Sequence, residues 1–173
     1  MFTRRQFVAA SAMAGAALAV GCAKRQRTPW EFLSEPEART LKAICDQIVP
    51  ADDFPSASQA GVLTYIDRQL VRHFRRYRDS YRRGLQQANL LSRKRFGLDL
   101  AAASPQQQFA IVSAIEKQDP HFFELVRTHT LQGYYGSPRH GGNRDAVSWR
   151  MLGLAEPPLL GRAQYDLTAG KRS

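Results

Sequence analysis

Apolar residues recur at the three- and four-residue spacing of a helix in five segments of the chain. The segments begin near Ser34, Gly61, Asp79, Ser104 and Asp119. Glu37 and Gln107 stand three residues after the two serines, which is the spacing of a capping box. The predicted apolar faces include Phe74 in the second segment and Phe109 in the fourth. No segment alternates convincingly as a strand does, so the pattern predicts an all-α fold, a single small orthogonal bundle of about five helices.

The pattern changes near Tyr134, where glycine, proline and aromatic residues predict an irregular C-terminal arm. Five glycines and one proline lie between Gly133 and Gly153, and only residues 147–152 have a short helical period. Large amphipathic side chains are favoured at interface hot spots. The candidate interface residues are His129, Tyr134, Tyr135, Gly141, Gly142, Asn143 and Trp149. A loop that packs on itself and completes the core is the alternative, and the two interpretations are compatible.

The N-terminus has the pattern of an export signal. Arg4 and Arg5 precede Phe7 and a weakly apolar run over residues 8–20. Thirteen helical residues span only about 20 Å, which is short of a hydrocarbon core of about 30 Å. The paired arginines, the short apolar run and the absence of acidic residues before Glu31 predict a twin-arginine signal over residues 1–22. The predicted location is the periplasm.

The end of the signal has two interpretations. Residues 19–22 resemble a lipobox, which makes Cys22 a candidate lipidation site, whereas cleavage after Ala19 would leave Cys22 free to pair with Cys45. Cys45 lies on the apolar face of the first helix and is predicted to be a buried, inert thiol. The predicted organisation is the signal at 1–22, a polar linker at 23–33, a helical domain at 34–158 and a tail at 159–173.

The charge of the chain is concentrated in one stretch. The 173 residues carry 25 Lys or Arg against 15 Asp or Glu, a formal net charge of +10. Ten basic residues and one acidic residue lie between Arg68 and Arg95. The candidates for a basic face are Arg72, Arg75, Arg76, Arg82 and Arg83. Anionic lipid, an acidic protein and plain solvation all remain open, whereas nucleic acid is disfavoured because an exported protein meets little of it.

Residues with catalytic or metal-binding chemistry form no recognisable set. Two cysteines are too few for a Cys₄ zinc site or a cysteine-ligated iron–sulfur cluster, and no glycine-rich phosphate motif is present. The adjacent Asp52 and Asp53 favour a turn over a metal site. His129 is predicted to be a hydrogen-bonded core or interface histidine. An enzyme that uses His129, His140 and Asp145 is a further alternative.

Several of these features together resemble the small subunit, subunit 3, of the gluconate 2-dehydrogenase family. The twin-arginine start is one of these features, and in the rest of the chain the resemblance covers about residues 33–158. Its motifs are Ile48-Val49-Pro50, Gly61-Val62, Tyr65-Ile66-Asp67, His129-x-x-x-Gly133-Tyr134-Tyr135, Gly141-Gly142-Asn143, Trp149 and Leu152-Gly153-Leu154. The residues after Leu154 depart from it, because Ala155-Glu156 stands where a glycine- or proline-led turn is expected.

The resemblance implies a role beside a larger enzyme. Such small subunits accompany a large FAD-bearing dehydrogenase of the glucose–methanol–choline oxidoreductase type, often with a cytochrome c subunit that holds haem c. The large subunit would cross the membrane folded, bound to this chain at the twin-arginine translocase. This chain would then hold no cofactor or metal and supply no catalytic residue. From the residues alone, a stand-alone exported lipoprotein that binds anionic lipid or polymer through Arg68–Arg95 is the alternative.

Overall fold

The structure is a computed structural model, and it describes residues 29–154. Six α-helices and no strand occur in this range: α1 Glu35–Ile48, α2 Val62–Val71, α3 Arg78–Phe96, α4 Pro105–Gln118, α5 Pro120–Tyr135 and α6 Val147–Met151. Four single-turn 3₁₀ helices link them, at Arg75–Tyr77, Leu100–Ala102, Pro138–His140 and Arg144–Ala146. The all-α prediction is confirmed, and the five predicted helices are α1 to α5. The predicted signal residues Arg4, Arg5 and Phe7, the lipidation candidate Cys22 and the tail at 159–173 lie outside the described residues.

The helices begin where the sequence predicts because side chains satisfy their first N–H groups. The Ser34 backbone N–H donates to the Glu37 carboxylate at 2.8 Å, and the Ser34 hydroxyl accepts from the Glu37 N–H. Ser104 and Gln107 form the same reciprocal pair at α4. At α5, the Asp119 carboxylate accepts from the Phe122 N–H at 3.0 Å. These contacts satisfy donors that a helix leaves unpaired at its N-terminus.

Aliphatic side chains from α1 to α5 fill one core. Helix α5 packs against α1, α2 and α4, and α1 also contacts α3 and α4. The core includes Leu41, Ile44, Val62, Ile66, Leu70, Leu85, Ile111 and Val126. Phe109 is a correction to the predicted apolar face of α4, because it is 63% exposed. At 100° per residue it lies roughly 110° from the mean direction of the buried Ile111, Val112 and Ile115.

Cys45 lies in the middle of this core, as predicted. Its side chain is completely buried in α1, with the sulfur 3.2 Å from the Thr130 hydroxyl of α5. Burial raises the pKa of the Cys45 thiol to about 12, because the thiolate would lose its hydration. The thiol therefore stays protonated at neutral pH and acts as a small apolar side chain. No helix among residues 29–154 is long and apolar enough to cross a membrane.

Candidate docking surface

Residues 136–154, called the arm below, fold back against the start of α2 and the end of α5. Asn143 organises this segment from a completely buried position. Its amide donates to the Gly136 carbonyl at 2.9 Å and accepts from the Ser148 N–H at 2.9 Å. The Arg144 N–H donates to the Ala60 carbonyl at 2.8 Å, next to the first turn of α2. The predicted irregular arm is thus a hydrogen-bonded part of the fold.

The glycines of the arm allow two backbones to approach closely. A Cβ atom on Gly142 would lie 2.1 Å from the Gly133 carbonyl oxygen of α5. A Cβ on Gly61 would lie 2.7 Å from the Gly141 carbonyl oxygen, and both of these glycines have positive φ angles. No larger residue fits at these contacts without displacing backbone. The Gly141-Gly142-Asn143 sequence therefore builds the arm's attachment to the bundle.

His129 occupies an aromatic cage beneath the surface of α5. Its ring stacks on Phe74 with centroids 3.8 Å apart, and its Nδ1 atom is 2.9 Å from the Tyr81 hydroxyl. Tyr77 meets the ring edge-on at 5.4 Å. Burial, together with the smaller effect of the positive charge of Arg76, lowers the pKa of His129 to about 4. His129 is therefore neutral at neutral pH, and it borders a cleft of about 320 Å³ that reaches Arg76.

Phe74 differs from its predicted position. The sequence places it on the apolar side of the second helix, but α2 ends at Val71. Phe74 follows in the connection to α3, and its N–H donates to the Gln69 carbonyl at 2.8 Å. The early end of α2 turns the Phe74 ring onto His129 instead of along the helix face.

The structure separates the seven predicted interface residues into two groups. His129, Tyr134, Gly142 and Asn143 are buried within the chain. The Tyr134 hydroxyl donates to the Pro55 carbonyl at 2.8 Å. This hydrogen bond holds the C-terminal end of α5 against the loop between α1 and α2. These four residues complete the fold and are almost fully covered within the chain, with one edge of the His129 ring left at the cleft. Within the chain they support the surface from beneath, and their contact with a partner stays a prediction.

Tyr135 and Trp149 remain as aromatic residues at the surface. Tyr135 is 42% exposed and Trp149 is partly buried. The Trp149 indole N–H donates to the Tyr135 backbone carbonyl at 2.8 Å, which fixes the Trp149 side chain against the end of α5. Leu152 and Leu154 follow on the same turn, each 54% exposed, and the Leu154 N–H donates to the Trp149 carbonyl at 2.8 Å. We call Tyr135, Trp149, Leu152 and Leu154 the arm surface.

The arm surface has the composition of a protein-binding site. Two aromatic and two aliphatic side chains lie at the end of α5 and on the arm, whose backbone is held to the bundle by hydrogen bonds. An exposed apolar cluster on a fixed backbone loses little conformational entropy when a partner covers it. Aromatic anchors of this kind supply much of the binding energy at many interfaces. The predicted Gly141 lies next to Thr64 and Arg68 of α2, and its contact with a partner stays a prediction.

Asp67 is the main site residue that the sequence interpretation missed. It is buried on the inner side of α2, with 2% of its surface exposed. Its carboxylate accepts three consecutive backbone N–H groups, from Glu31 at 2.6 Å, Phe32 at 3.0 Å and Leu33 at 2.8 Å. The segment predicted to end the linker is therefore fixed to the bundle. The available signal was an acidic residue within the apolar stripe Leu63, Ile66 and Leu70.

The predicted basic stretch divides along α3. Arg93, Lys94 and Arg95 lie in its last turn, about 15 Å along the helix axis from Arg83. Arg93 pairs with Asp99, and Arg95 stacks on Phe96. The predicted basic-face residues Arg72, Arg75, Arg76, Arg82 and Arg83 are all exposed near the other end. Two separate clusters therefore replace the single continuous face that the sequence indicated.

The acidic loop and the histidines form no metal site in the described part of the chain. The Asp52 carboxylate accepts from the Phe54 N–H at 2.8 Å, which confirms the predicted turn. No group of three or more His, Cys, Asp or Glu side chains between residues 29 and 154 could hold a metal ion. Among these residues, no hydrogen bond joins His129 to His140 or Asp145, both of which are exposed on the arm.

The described residues form a small all-α bundle that exposes aromatic and aliphatic side chains at the arm surface. The sequence model of the family described as gluconate 2-dehydrogenase subunit 3 matches residues 35–155. This match covers well over half of the 173 residues, so the chain belongs to the gluconate 2-dehydrogenase subunit 3 family. Comparisons with curated proteins and with solved structures gave no match. Because the members of this family are dehydrogenase subunits, membership associates this chain with a dehydrogenase complex.

Proposed function

We propose that this chain is the non-catalytic small subunit of a periplasmic FAD-dependent dehydrogenase complex. It carries the folded flavoprotein subunit, of the glucose–methanol–choline type, through the twin-arginine translocase and stabilises it afterwards. The exposed arm surface on a member of this subunit family is the observation that carries the proposal. FAD belongs to the large subunit, and haem c belongs to a cytochrome c subunit where the complex includes one.

Export chemistry supports a carrier role. The twin-arginine route transports folded proteins, and FAD is inserted into its protein in the cytoplasm. A flavoprotein without a signal of its own can follow this route only when bound to a chain that has one. Arg4 and Arg5 provide that signal here. The partnership must withstand translocation, so the interface should exceed about 1,200 Å² of buried surface.

The proposal can be tested by copurification of the flavoprotein with tagged full-length chain. We expect the double variant Tyr135→Ala/Trp149→Ala to reduce the bound flavin at least tenfold, because it removes both aromatic anchors of the arm surface. Phe109→Ala is the matched control, since it removes an aromatic side chain that is even more exposed on α4. Unchanged flavin recovery with the double variant would contradict the assignment.

A second variant separates loss of binding from loss of folding. Leu152→Ala/Leu154→Ala leaves the Trp149 hydrogen bond to the Tyr135 carbonyl in place and still trims the arm surface. We expect an intermediate loss of bound flavin, with the midpoint of thermal unfolding close to that of the unmodified chain. Full retention of the flavoprotein by both variants would place the docking site elsewhere.

A further inference from the structure

Seven arginines form an unpaired cluster where α2 turns into α3. We call them the arginine face: Arg68, Arg72, Arg75, Arg76, Arg78, Arg82 and Arg83. All are exposed except Arg78, which is half-buried. None forms an ion pair with a carboxylate of residues 29–154, and Asp79 is the one acidic residue between Arg68 and Arg83. An exposed cluster with this much uncompensated charge attracts anions strongly at low salt.

Contacts within the chain hold several of these guanidinium groups in place. Arg75 donates to the Val71 carbonyl at 2.6 Å, and Arg78 donates to the Leu70 carbonyl at 2.7 Å. Both carbonyls lie at the C-terminus of α2, where the helix dipole favours positive charge. A guanidinium has five N–H donors, so most of them remain free to face an external ligand.

Aromatic rings support the same groups from below. Arg78 and Arg82 lie over the Phe32 ring at 5.1 and 4.9 Å, and Arg76 lies over the Tyr77 ring at 4.7 Å. Such stacking lowers the cost of holding like charges close together. Guanidinium groups fixed in this way match phosphate, which they bind through two parallel hydrogen bonds.

The chain's N-terminal segment leaves the bundle at the arginine face. Asp67 fixes the backbone of residues 31–33, and Phe32 lies beneath Arg78 and Arg82. Ten residues, 21–30, separate this point from the apolar run at 8–20. Fully extended, they reach at most about 35 Å. An apolar segment or a lipid anchor at the N-terminus would therefore keep the arginine face close to the membrane into which that segment or anchor inserts.

We propose that the arginine face binds the anionic phospholipid surface of the membrane. Phosphate groups of the bilayer occupy it while the N-terminal segment engages the same membrane, and the arm surface stays available for the flavoprotein. A bilayer suits the face because its arginines are spread over two helices and the turn between them, whereas a single phosphate could contact only two or three. This binding does not depend on the identity of the dehydrogenase partner.

Sedimentation of the full-length chain with vesicles tests the proposal. The vesicles are phosphatidylcholine alone or phosphatidylcholine with about 30% phosphatidylglycerol, so that binding by the apolar signal contributes equally to both. At 50 mM salt we expect at least tenfold stronger partitioning to the anionic vesicles, and most of this preference should disappear at 500 mM salt because the contacts are screened.

Charge-matched variants assign the preference to the face. Gln in place of Arg72, Arg75, Arg76, Arg82 and Arg83 should abolish most of the anionic preference. Gln in place of Arg39, Lys117, Arg127, Arg139 and Arg150 removes the same charge from exposed positions elsewhere and should preserve it. Lys at the first five positions should retain more than half, and this variant shows that the altered face still folds.

Three results would overturn the proposal. Equal loss of the anionic preference in both five-Gln variants would indicate a response to net charge alone. Equal partitioning of the unmodified chain to the two vesicle types would show that the arginine face does not recognise anionic lipid. Displacement by a few millimolar glycerol phosphate would indicate a site for single phosphates rather than a bilayer. Each result is independent of flavoprotein copurification, so it leaves the carrier proposal untouched.

Discussion

At the scale of single residues, buried polar side chains decide how the helices connect. His129 joins the C-terminal half of α5 to Tyr81 of α3, and Asp67 joins α2 to the segment before α1. Both lie on otherwise apolar helix faces, where an unpaired polar group would be costly. Because each is satisfied by a specific partner, each also specifies one arrangement of the elements it joins.

His129 makes the stability of the fold depend on pH. Its pKa is about 4 in the folded chain and near 6.5 when unfolded, so the unfolded state binds the proton more readily between these values. The contribution of His129 to stability therefore falls as pH drops from about 6.5 to 4 and levels off below. One edge of the ring borders the cleft, where solvent screens its charge. We therefore expect a loss of about 2 kcal/mol in the free energy of unfolding, which is less than the whole pKa shift would give for a completely buried ring.

Urea unfolding between pH 4 and 7 measures this effect. His129→Gln should be less stable at pH 7, because Tyr81 loses its ring partner, but its stability should change less with pH than that of the unmodified chain. The exposed His73, His121 and His140 are present in both proteins and cancel in the comparison. The same pH dependence in both proteins would show that His129 titrates normally.

Asp67→Asn tests the attachment of the N-terminal segment. The variant replaces a charged acceptor of three N–H groups by an amide with one acceptor oxygen, so we expect a loss of about 3 kcal/mol in the free energy of unfolding. Faster proteolysis near residues 29–33 should accompany it. Asp79→Asn, an exposed change on α3, should stay within about 0.5 kcal/mol of the unmodified chain. If Asp67→Asn also lost no more than about 0.5 kcal/mol, Asp67 would not be what holds the N-terminal segment to the bundle.

At the scale of elements, the regular helices follow from local sequence and the arm does not. Ser34, Ser104 and Asp119 mark helix starts through hydrogen bonds to residues three positions later, and capping rules detect this spacing in the sequence. The arm depends on contacts such as Gly142 against Gly133 and Arg144 with Ala60, which join distant parts of the chain. Asn143 and Ala146 have positive φ angles of 43° and 53°, and only the first is a residue type that favours this conformation.

The same difference explains the outcome for the candidate site. Aromatic and glycine content correctly indicates a segment with a special structure, but composition does not reveal which side chains point inward. Tyr134 and Tyr135 are adjacent, and the helical rotation between them places the first in the core and the second at the surface. The apolar stripe around Asp67 indicated its burial, but its partners were hidden because they are backbone groups of a segment that has no periodic pattern.

Gly142→Ala tests the close contact between the arm and α5. The added Cβ would meet the Gly133 carbonyl oxygen, so the arm must shift, and we expect a loss of about 2 kcal/mol in the free energy of unfolding. Trp149 fluorescence should report the displacement. Gly153→Ala is the control, since its Cβ meets open space and costs only about 1 kcal/mol through its positive φ. Unchanged stability of Gly142→Ala would mean that the arm is loosely attached.

At the scale of the whole molecule, apolar and charged surfaces occupy different places. The arm surface gathers exposed aromatic and aliphatic residues at the C-terminal end of α5, and the arginine face gathers positive charge around the turn from α2 to α3. A carrier needs both a contact for its cargo and a connection to its export route. In the proposed account, the arm surface binds the flavoprotein and the N-terminal segment, next to the arginine face, directs the pair to the membrane.

The most direct measurement of the carrier role is the location of the flavoprotein when the signal is altered. Arg4→Lys/Arg5→Lys keeps the charge but removes the paired arginines, and Arg25→Lys/Arg27→Lys makes the same change outside the pair. We predict that the first variant leaves the FAD-loaded partner in the cytoplasm, with at least a tenfold loss from the periplasm, while the second exports it normally. Periplasmic flavoprotein at an unchanged level with Arg4→Lys/Arg5→Lys would contradict the account.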